Sequence, residues 1–412
     1  MGVANAVGSF LGKAPGIRLK AFDGSTAGPA DAPTTIEIRS PQALNYLATA
    51  TGSLGLARAY VSGDLEVEGD LYTAMTSLTD LNFDLSWLER LRALRELGGF
   101  KLLKPPPIPP MEVRLRGRRH SKARDQAAIS HHYDVSNKFY SWILGPSMAY
   151  TCAVYPTETS TLEEAQYAKH DLVARKLGLR PGMRLLDVGC GWGGMVMHAA
   201  KHYGVRAIGV TLSRRQAEWG QKAIADAGLS ELAEIRHLDY RDVPEEQFDA
   251  ISSIGLTEHI GRAQLPGYFH HLYDRLRPGG RLLNHCITRP NNLEPAIRKR
   301  QFINRYIFPD GELHGVGHLV SQMHDAGFEV RHEENLREHY AKTLNAWSAN
   351  LDEHWDEAVE EVGRARARTW RLYLVGSQLG FERNDIQLHQ VLGVKLHADF
   401  INGMPLRPDW AS

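Results

Sequence analysis

Three cysteines in 412 residues, Cys152, Cys190 and Cys286, form no C-x-x-C pair. Cysteine this scarce builds no disulfide framework and points to a reducing compartment. Charge of one sign is missing too: 48 Lys+Arg balance 48 Asp+Glu, so the formal net charge is zero. Bulk charge therefore gives no argument for nucleic acid. No apolar run approaches the ~20 residues of a membrane-crossing helix. Met1 to Gly16 is small and mildly apolar without a basic start, so no secretory signal is expected. The 19 histidines fall in no ligand spacing such as H-E-x-x-H, so no metal site is expected. Neither N-P-P-Y nor a Pro-Cys pair occurs, which argues against modification of a nucleic-acid base.

What is present is an ordinary globular balance, 43% hydrophobic and 23% charged, at a length that allows two domains. In the first hundred residues Ile36-Glu37-Ile38 alternates like a short strand. Pro41 to Thr49 reads as a helix opened by Ser40, and 56–62 and 70–78 as further helices. We expect 1–100 to be a small α+β accessory domain. From 126 onward strands and helices alternate, which predicts an α/β fold with a doubly wound, mostly parallel sheet. Candidate strands are 184–188, 206–210, 233–237, 248–254, 281–287 and 329–333; candidate helices are 193–203, 214–227 and 265–276. The stretch 344–396 reads as helical and amphipathic.

Between them, 101–125 carries the run Lys104-Pro105-Pro106-Pro107-Ile108-Pro109-Pro110, which suits an extended linker. Eight basic residues (Lys101, Lys104, Arg114, Arg116, Arg118, Arg119, Lys122, Arg124) stand there against one acid, Glu112. A solvated linker is the plain reading of such a run. The functional reading is an anionic phospholipid surface. Nucleic acid ranks third, because no aromatic ladder is interleaved.

The most informative stretch is Leu185-Leu186-Asp187-Val188-Gly189-Cys190-Gly191-Trp192-Gly193-Gly194. A buried strand ends in an acid and four glycines, as at a tight turn that opens a helix and lets a ligand approach the backbone. Its tail departs from the G-x-G-x-x-G dinucleotide fingerprint. The stretch resembles motif I of the class I S-adenosylmethionine-dependent methyltransferases. A doubly wound sheet binds ligands at the carboxyl ends of its strands. Four segments should meet there: Gly189, Gly191, Trp192 and Gly193; Thr211, Leu212, Ser213 and Gln216; Asp239 and Tyr240; Ile254 and Gly255. Thr211 stands where many adenosine sites carry an acid for the ribose, so hydroxyl and amide groups take that task or an acid comes from elsewhere. Upstream, Tyr133, Tyr150 and Thr151 add polar groups. Each residue alone suits a loop or a core; their joint placement predicts a cofactor site.

More specific motifs follow: His131-His132-Tyr133-Asp134-Val135-Ser136, Met148-Ala149-Tyr150-Thr151-Cys152-Ala153, Glu164-Ala165-Gln166-x-Ala168-Lys169, Glu258-His259-Ile260-Gly261, Asn304 to Gly311, His339 to Leu344 and Asp385-Ile386-Gln387-Leu388. In this order they resemble the cyclopropane-fatty-acyl-phospholipid synthase family, over roughly 125–395 and more weakly over the first hundred residues. The resemblance implies a catalytic domain over 126–412. It implies S-adenosylmethionine as methyl donor, a cis double bond of an unsaturated phospholipid acyl chain as acceptor, and bound bicarbonate as base. Carried over by motif, the catalytic group is Glu258, His285, Tyr340 and the backbone around Cys152, with Tyr306 and Phe308 lining the cation. Taken singly, Glu258 suits a helix start, His285 a core strand and Tyr340 ordinary packing.

Three places depart from the family pattern: Thr257 before Glu258, Asn284 and Cys286 around His285, and Leu313-His314-Gly315 after Phe308-Pro309. They suggest the branch that makes a 10-methylene acyl chain, a precursor of 10-methyl acids. The alternatives are a cyclopropane, methylation of a carrier-bound chain, or a binding module that has lost catalysis. The resemblance further implies a cytoplasmic protein held peripherally at the inner face of the membrane, with a downstream reductase and a homodimer as conceivable partners.

Overall fold

The structure is a computed structural model. It describes residues 2–11, 16–50, 52–79, 97, 99–113, 119–120, 124, 136–297 and 301–410. The chain forms two compact units. The first is Met1–Arg114 with Lys299–Pro309 and Trp355–Leu379; the second is Leu115–Arg298 with Asp310–His354 and Gly380–Ser412. A division in chain order does not find this arrangement, because two late segments pack with the first unit.

The first unit holds β1 (Ile17–Ala21), β2 (Thr26–Ala27), β3 (Thr34–Ile38) and β4 (Leu65–Glu68), in the order β2-β1-β3-β4. Ile17, Leu19 and Ala21 are buried while Arg18 and Lys20 turn away, the period-two pattern of a sheet with one covered face. The helix Pro41–Thr49 is capped by Ser40, whose side chain accepts the Gln42 N–H. The proline run is not a free linker. The Tyr46 hydroxyl donates to the Pro107 carbonyl at 2.6 Å, Asn45 Nδ2 donates to the Lys101 carbonyl at 2.9 Å, and the Glu112 carboxylate holds Arg58 at 2.7 and 2.8 Å. A proline segment has few donors of its own, so side chains of the neighbouring helices take its carbonyls.

The second unit is built on β5 (Arg184–Val188), β6 (Arg206–Thr211), β7 (Ala233–His237), β8 (Phe248–Ile254), β9 (Leu276–Arg289), β10 (His314–Gly315), β11 (Glu329–Asn335) and β12 (Gln387–Val394). Their order is β11-β12-β9-β8-β5-β6-β7, with β10 beside β9. From β9 to β7 every pairing is parallel; β12 runs antiparallel to both β9 and β11. This is the doubly wound, mostly parallel sheet expected. The chain leaves β5 towards β6 on one side and returns to β8 on the other, so the switch point lies between the carboxyl ends of β5 and β8.

The helical reading of 344–396 needs correction at its end. Helices occupy Arg337–Glu353, Trp355–Val362 and Arg364–Glu382, but 387–394 is the buried strand β12. A short apolar run cannot be told from a buried helix by periodicity alone, and pairing with β9 decides it. β9 also begins earlier than expected, running through Pro278-Gly279-Gly280.

Candidate active site

An open cavity sits at that switch point. Tyr150, Thr151, Gly189, Gly191, Trp192, Thr211, Leu212, Gln216, Asp239, Tyr240, Ile254 and Gly255 line it. Of the other positions expected at a cofactor, Gly193 and Ser213 stand one step back. Ser213 caps the helix Arg214–Asp226 by accepting the Gln216 N–H. Gly193 caps the helix Gly194–Tyr203 at φ +88°, where a Cβ would meet Ile235 Cδ1 at 2.2 Å. Tyr133 lies outside the described residues. Gly191, at φ +55°, has open space where a Cβ would stand. Any side chain there would be strained and would project into free volume, so a ligand can reach this backbone.

The polar groups are set by short local bonds. Thr211 Oγ1 donates to Gln216 Oε1 at 2.8 Å and accepts the Ser213 N–H at 3.2 Å, which fixes the hydroxyl and amide after β6. Asp239 is held by Arg241 through Nε at 2.8 Å and Nη2 at 2.5 Å. Two lining aromatics, Trp192 and Tyr150, are backed by a cluster of rings behind the wall. Tyr140 packs on Trp192 (4.8 Å between centroids) and on Tyr150 (5.8 Å), and Tyr150 on Trp347 (5.4 Å). Trp347 meets Tyr340, which lies 4.5 Å from Phe381. Trp192 Nε1 donates to Asn137 Oδ1 at 2.9 Å.

Glu258, His285, Tyr340 and Cys152 do not line the cavity; each adjoins a residue or layer that does. Gly255 on the wall donates its N–H to the His285 carbonyl at 2.8 Å. Glu258 Oε1 accepts the Ile287 N–H at 2.7 Å, two residues along β9 from His285. Ile287 pairs with Leu388, and the Leu388 carbonyl takes the Leu336 N–H at 2.8 Å, one helical turn before Tyr340. Cys152 Sγ donates to the Ala153 carbonyl at 3.1 Å and to that of Leu336 at 3.8 Å. The sheet thus brings the four segments together. Burial pushes the Cys152 thiol up, so it stays a neutral thiol rather than a nucleophilic thiolate.

Two atoms of this group, Glu258 Oε2 and His285 Nε2, are buried and make no hydrogen bond among the described residues. Gln390 Oε1 accepts from Lys176 Nζ at 2.7 Å, which turns the Gln390 NH₂ towards His285 Nδ1 at 3.2 Å. Nδ1 is then the acceptor and the proton resides on Nε2. Desolvation raises Glu258 to about 7 and drives His285 well below its usual value, so the imidazole is neutral. A buried carboxyl near neutrality, held by the same strand two residues from a buried N–H donor, suits a small oxyanion that can both accept and donate.

Two of the three places that depart from the family pattern meet here, while His314 and Gly315 pair with Thr288 and Arg289 further along β9. Thr257 Oγ1 donates to Asn284 Oδ1, and Asn284 Nδ2 donates to Cys286 Sγ at 3.3 Å, all buried. Tyr306 and Phe308 belong instead to the first unit, where their rings face Phe302 and Tyr373. The second unit's own aromatic cluster is that of Tyr140, Tyr150 and Trp347.

Sequence reasoning missed Lys169, His170, Asp187 and His259 on the lining. Lys169 had a signal: it falls on the apolar stripe of its helix with Ala165, Leu172 and Val173, all buried.

Residues 120–391 match the family model described as mycolic acid cyclopropane synthetase. A probable fatty acid methyltransferase of Mycobacterium tuberculosis is 53% identical over 405 residues, 96% of this chain and 94% of that protein. The cyclopropane-fatty-acyl-phospholipid synthase of Escherichia coli is 32% identical over 362 residues, 88% of each chain. The crystal structure of mycolic acid cyclopropane synthase CmaA1 complexed with SAH and CTAB superimposes with a TM-score of 0.62 at 34% identity, over 66% of this chain and 98% of that one.

Proposed function

The chain belongs to the mycolic acid cyclopropane synthetase family and is an S-adenosylmethionine-dependent methyltransferase of fatty acyl chains. From that premise we propose that its acceptor is the cis double bond of an oleoyl chain in membrane phospholipid, that bound bicarbonate is the base, and that the product is a 10-methylene acyl chain. The double bond takes the sulfonium methyl: a C–C bond forms, the S–CH₃ bond breaks, and a carbocation remains on the chain. A hydride shift, then proton loss from the new methyl, leaves the exocyclic methylene; direct proton loss from that methyl would close a cyclopropane. Bicarbonate, when bound, supplies a proton acceptor that is not a protein side chain exposed to alkylation.

The carrying observation is that Glu258 Oε2 and His285 Nε2–H, both buried, have no partner among the described residues. A closed apolar core does not leave such atoms without cause, since each unmade hydrogen bond costs about 1–3 kcal/mol. Glu258 and His285 would hold the oxyanion, with Tyr340 and the backbone at Cys152 completing its shell. The lining aromatics keep water away and face the cation with π-density. The Thr257–Asn284–Cys286 group beside the base supports the 10-methylene product, because it alters the surroundings in which one proton is chosen over another. No helix among the described residues is long and apolar enough to cross a membrane. Approach to lipid would then be peripheral, through exposed Lys101 and Lys104 with exposed Leu103 and Ile108.

The test is product analysis. Purified protein, methyl-labelled S-adenosylmethionine, bicarbonate and dioleoyl phospholipid vesicles are combined, and the released chains are read by proton NMR, since the two products are isomers. Vinylic methylene signals are expected. Upfield ring protons would replace this product with the cyclopropane. Absence of label from lipid, with cofactor bound, would move the acceptor to a carrier-bound chain.

A further inference from the structure

Lys169 is a buried lysine on the cavity wall that feels the Asp187 charge without forming an ion pair with it. It lies in the helix Leu162–Leu177 at 1% exposure. Its Nζ donates to Thr151 Oγ1 at 3.1 Å and contacts His170 Nε2 at 2.8 Å, both neutral groups. Among the described residues it makes no ion pair. Across the same lining stands Asp187, whose carboxyl accepts the Ser252 hydroxyl at 2.6 Å. Cys152 and His285 also feel the Lys169 charge, the first as a thiol and the second as a neutral ring.

Resting on the reading that this cavity takes S-adenosylmethionine, we propose that Lys169 is the counter-charge for the carboxylate of the cofactor's amino-acid end, with Thr151 holding its ammonium in place. That end carries one carboxylate and one ammonium. The wall offers one buried ammonium and one buried carboxyl, spaced along a single lining with the glycine turn between the adenosine segments and Thr151. Burial holds Lys169 down to about 7 and Asp187 up to about 7, and the charge each feels from the other offsets only part of that. Both departures relax when a zwitterion supplies the missing charges. Bicarbonate is the other anion in reach of this field, but Lys169 faces the cavity, whereas Glu258 and His285 stand behind its wall.

The experiment is calorimetry on the full chain, with S-adenosylhomocysteine and with its decarboxylated analogue, S-adenosyl-3-thiopropylamine, each with and without bicarbonate. Wild type should prefer the carboxylate ligand by about tenfold to a hundredfold, as a charge-assisted bond implies. Lys169→Met should remove that preference while binding the amine as wild type does, and Lys169→Arg should keep part of it. Equal binding of both ligands by wild type overturns the inference, and needs no variant that might fail to fold. Equal weakening of both ligands in Lys169→Met reduces the residue to packing and overturns it too. A preserved ligand preference with lost bicarbonate affinity assigns Lys169 to the other anion. Wild type that binds neither ligand sinks the cofactor reading itself.

Discussion

At the residue scale the tension lies in Glu258. Its carboxyl is buried and raised from 4.5 to about 7 by desolvation. The folded value stands above the unfolded one, so the unfolded chain releases this proton first. Stability is therefore lost as pH climbs from about 4.5 to about 7, by on the order of 3 kcal/mol. Glu258→Gln removes the titration, and its amide oxygen still accepts the Ile287 N–H. In bicarbonate-free buffer the variant should match wild type near pH 4.5 and exceed it at pH 8 in urea unfolding, while methyl transfer is abolished. A variant less stable than wild type at pH 8 would mean that Glu258 is a structural acid. Legibility in the sequence divides along the same line. Gly191, Thr211 and Gln216 announce themselves because a strand end followed by turn residues has few other uses. Lys169 is harder to see, because a lysine among Glu163, Glu164 and Arg175 reads as part of a solvated face unless its place on the apolar stripe is weighed.

At the element scale the piece that sequence reading loses is β12. Its eight residues, Gln387–Val394, are almost wholly buried and lie between β9 and β11. The run looks like the end of a helical stretch because its adjacent polar residues, His389 and Gln390, break strand alternation. In the sheet Gln390 bridges Lys176 and His285. The strand thereby fixes the tautomer of a histidine more than a hundred positions away in sequence. Gln390→Leu deletes both bonds and leaves His285 Nδ1 without a donor. We expect a loss of about 1–3 kcal/mol in denaturant unfolding. The ¹⁵N imidazole shifts should also move from a pure Nε2–H tautomer to a mixture. An unchanged tautomer with the same loss of stability would show that Gln390 only fills space. An element read well from sequence is one with local punctuation, Ser40 before Pro41; the reciprocal capping box of Thr161 and Glu164, which starts the helix that carries Lys169, offers the same signal, which sequence reasoning missed.

At the scale of the whole molecule, charge that looks concentrated along the chain is partly spent within the fold. The segment 101–124 counts eight basic residues. Arg124 grips Asp310 through Nε at 2.6 Å and Nη2 at 2.7 Å, and Arg119 lies 3.6 Å from the same carboxylate. The Arg124 pair is largely buried and offers little to a lipid headgroup, whereas the Arg119 side chain stays 47% exposed. Lys101 and Lys104 are exposed in the first unit beside Leu103, itself exposed. Each basic side chain at an anionic surface contributes about 1 kcal/mol. Replacing both lysines by alanine should weaken partition onto phosphatidylglycerol vesicles by about thirtyfold at low salt. The gap between variant and wild type should shrink at high salt as screening shortens the reach of both charges. Arg124→Ala should act otherwise: it strands the mostly buried Asp310 carboxylate, lowers the melting temperature, and changes partition of the folded fraction little. Cosedimentation with a parallel melting curve separates the two effects. If Arg124→Ala released the folded protein from vesicles while the double lysine variant stayed bound, the lipid-facing charge would lie with the arginines, and the internal pairing would have to open at the membrane.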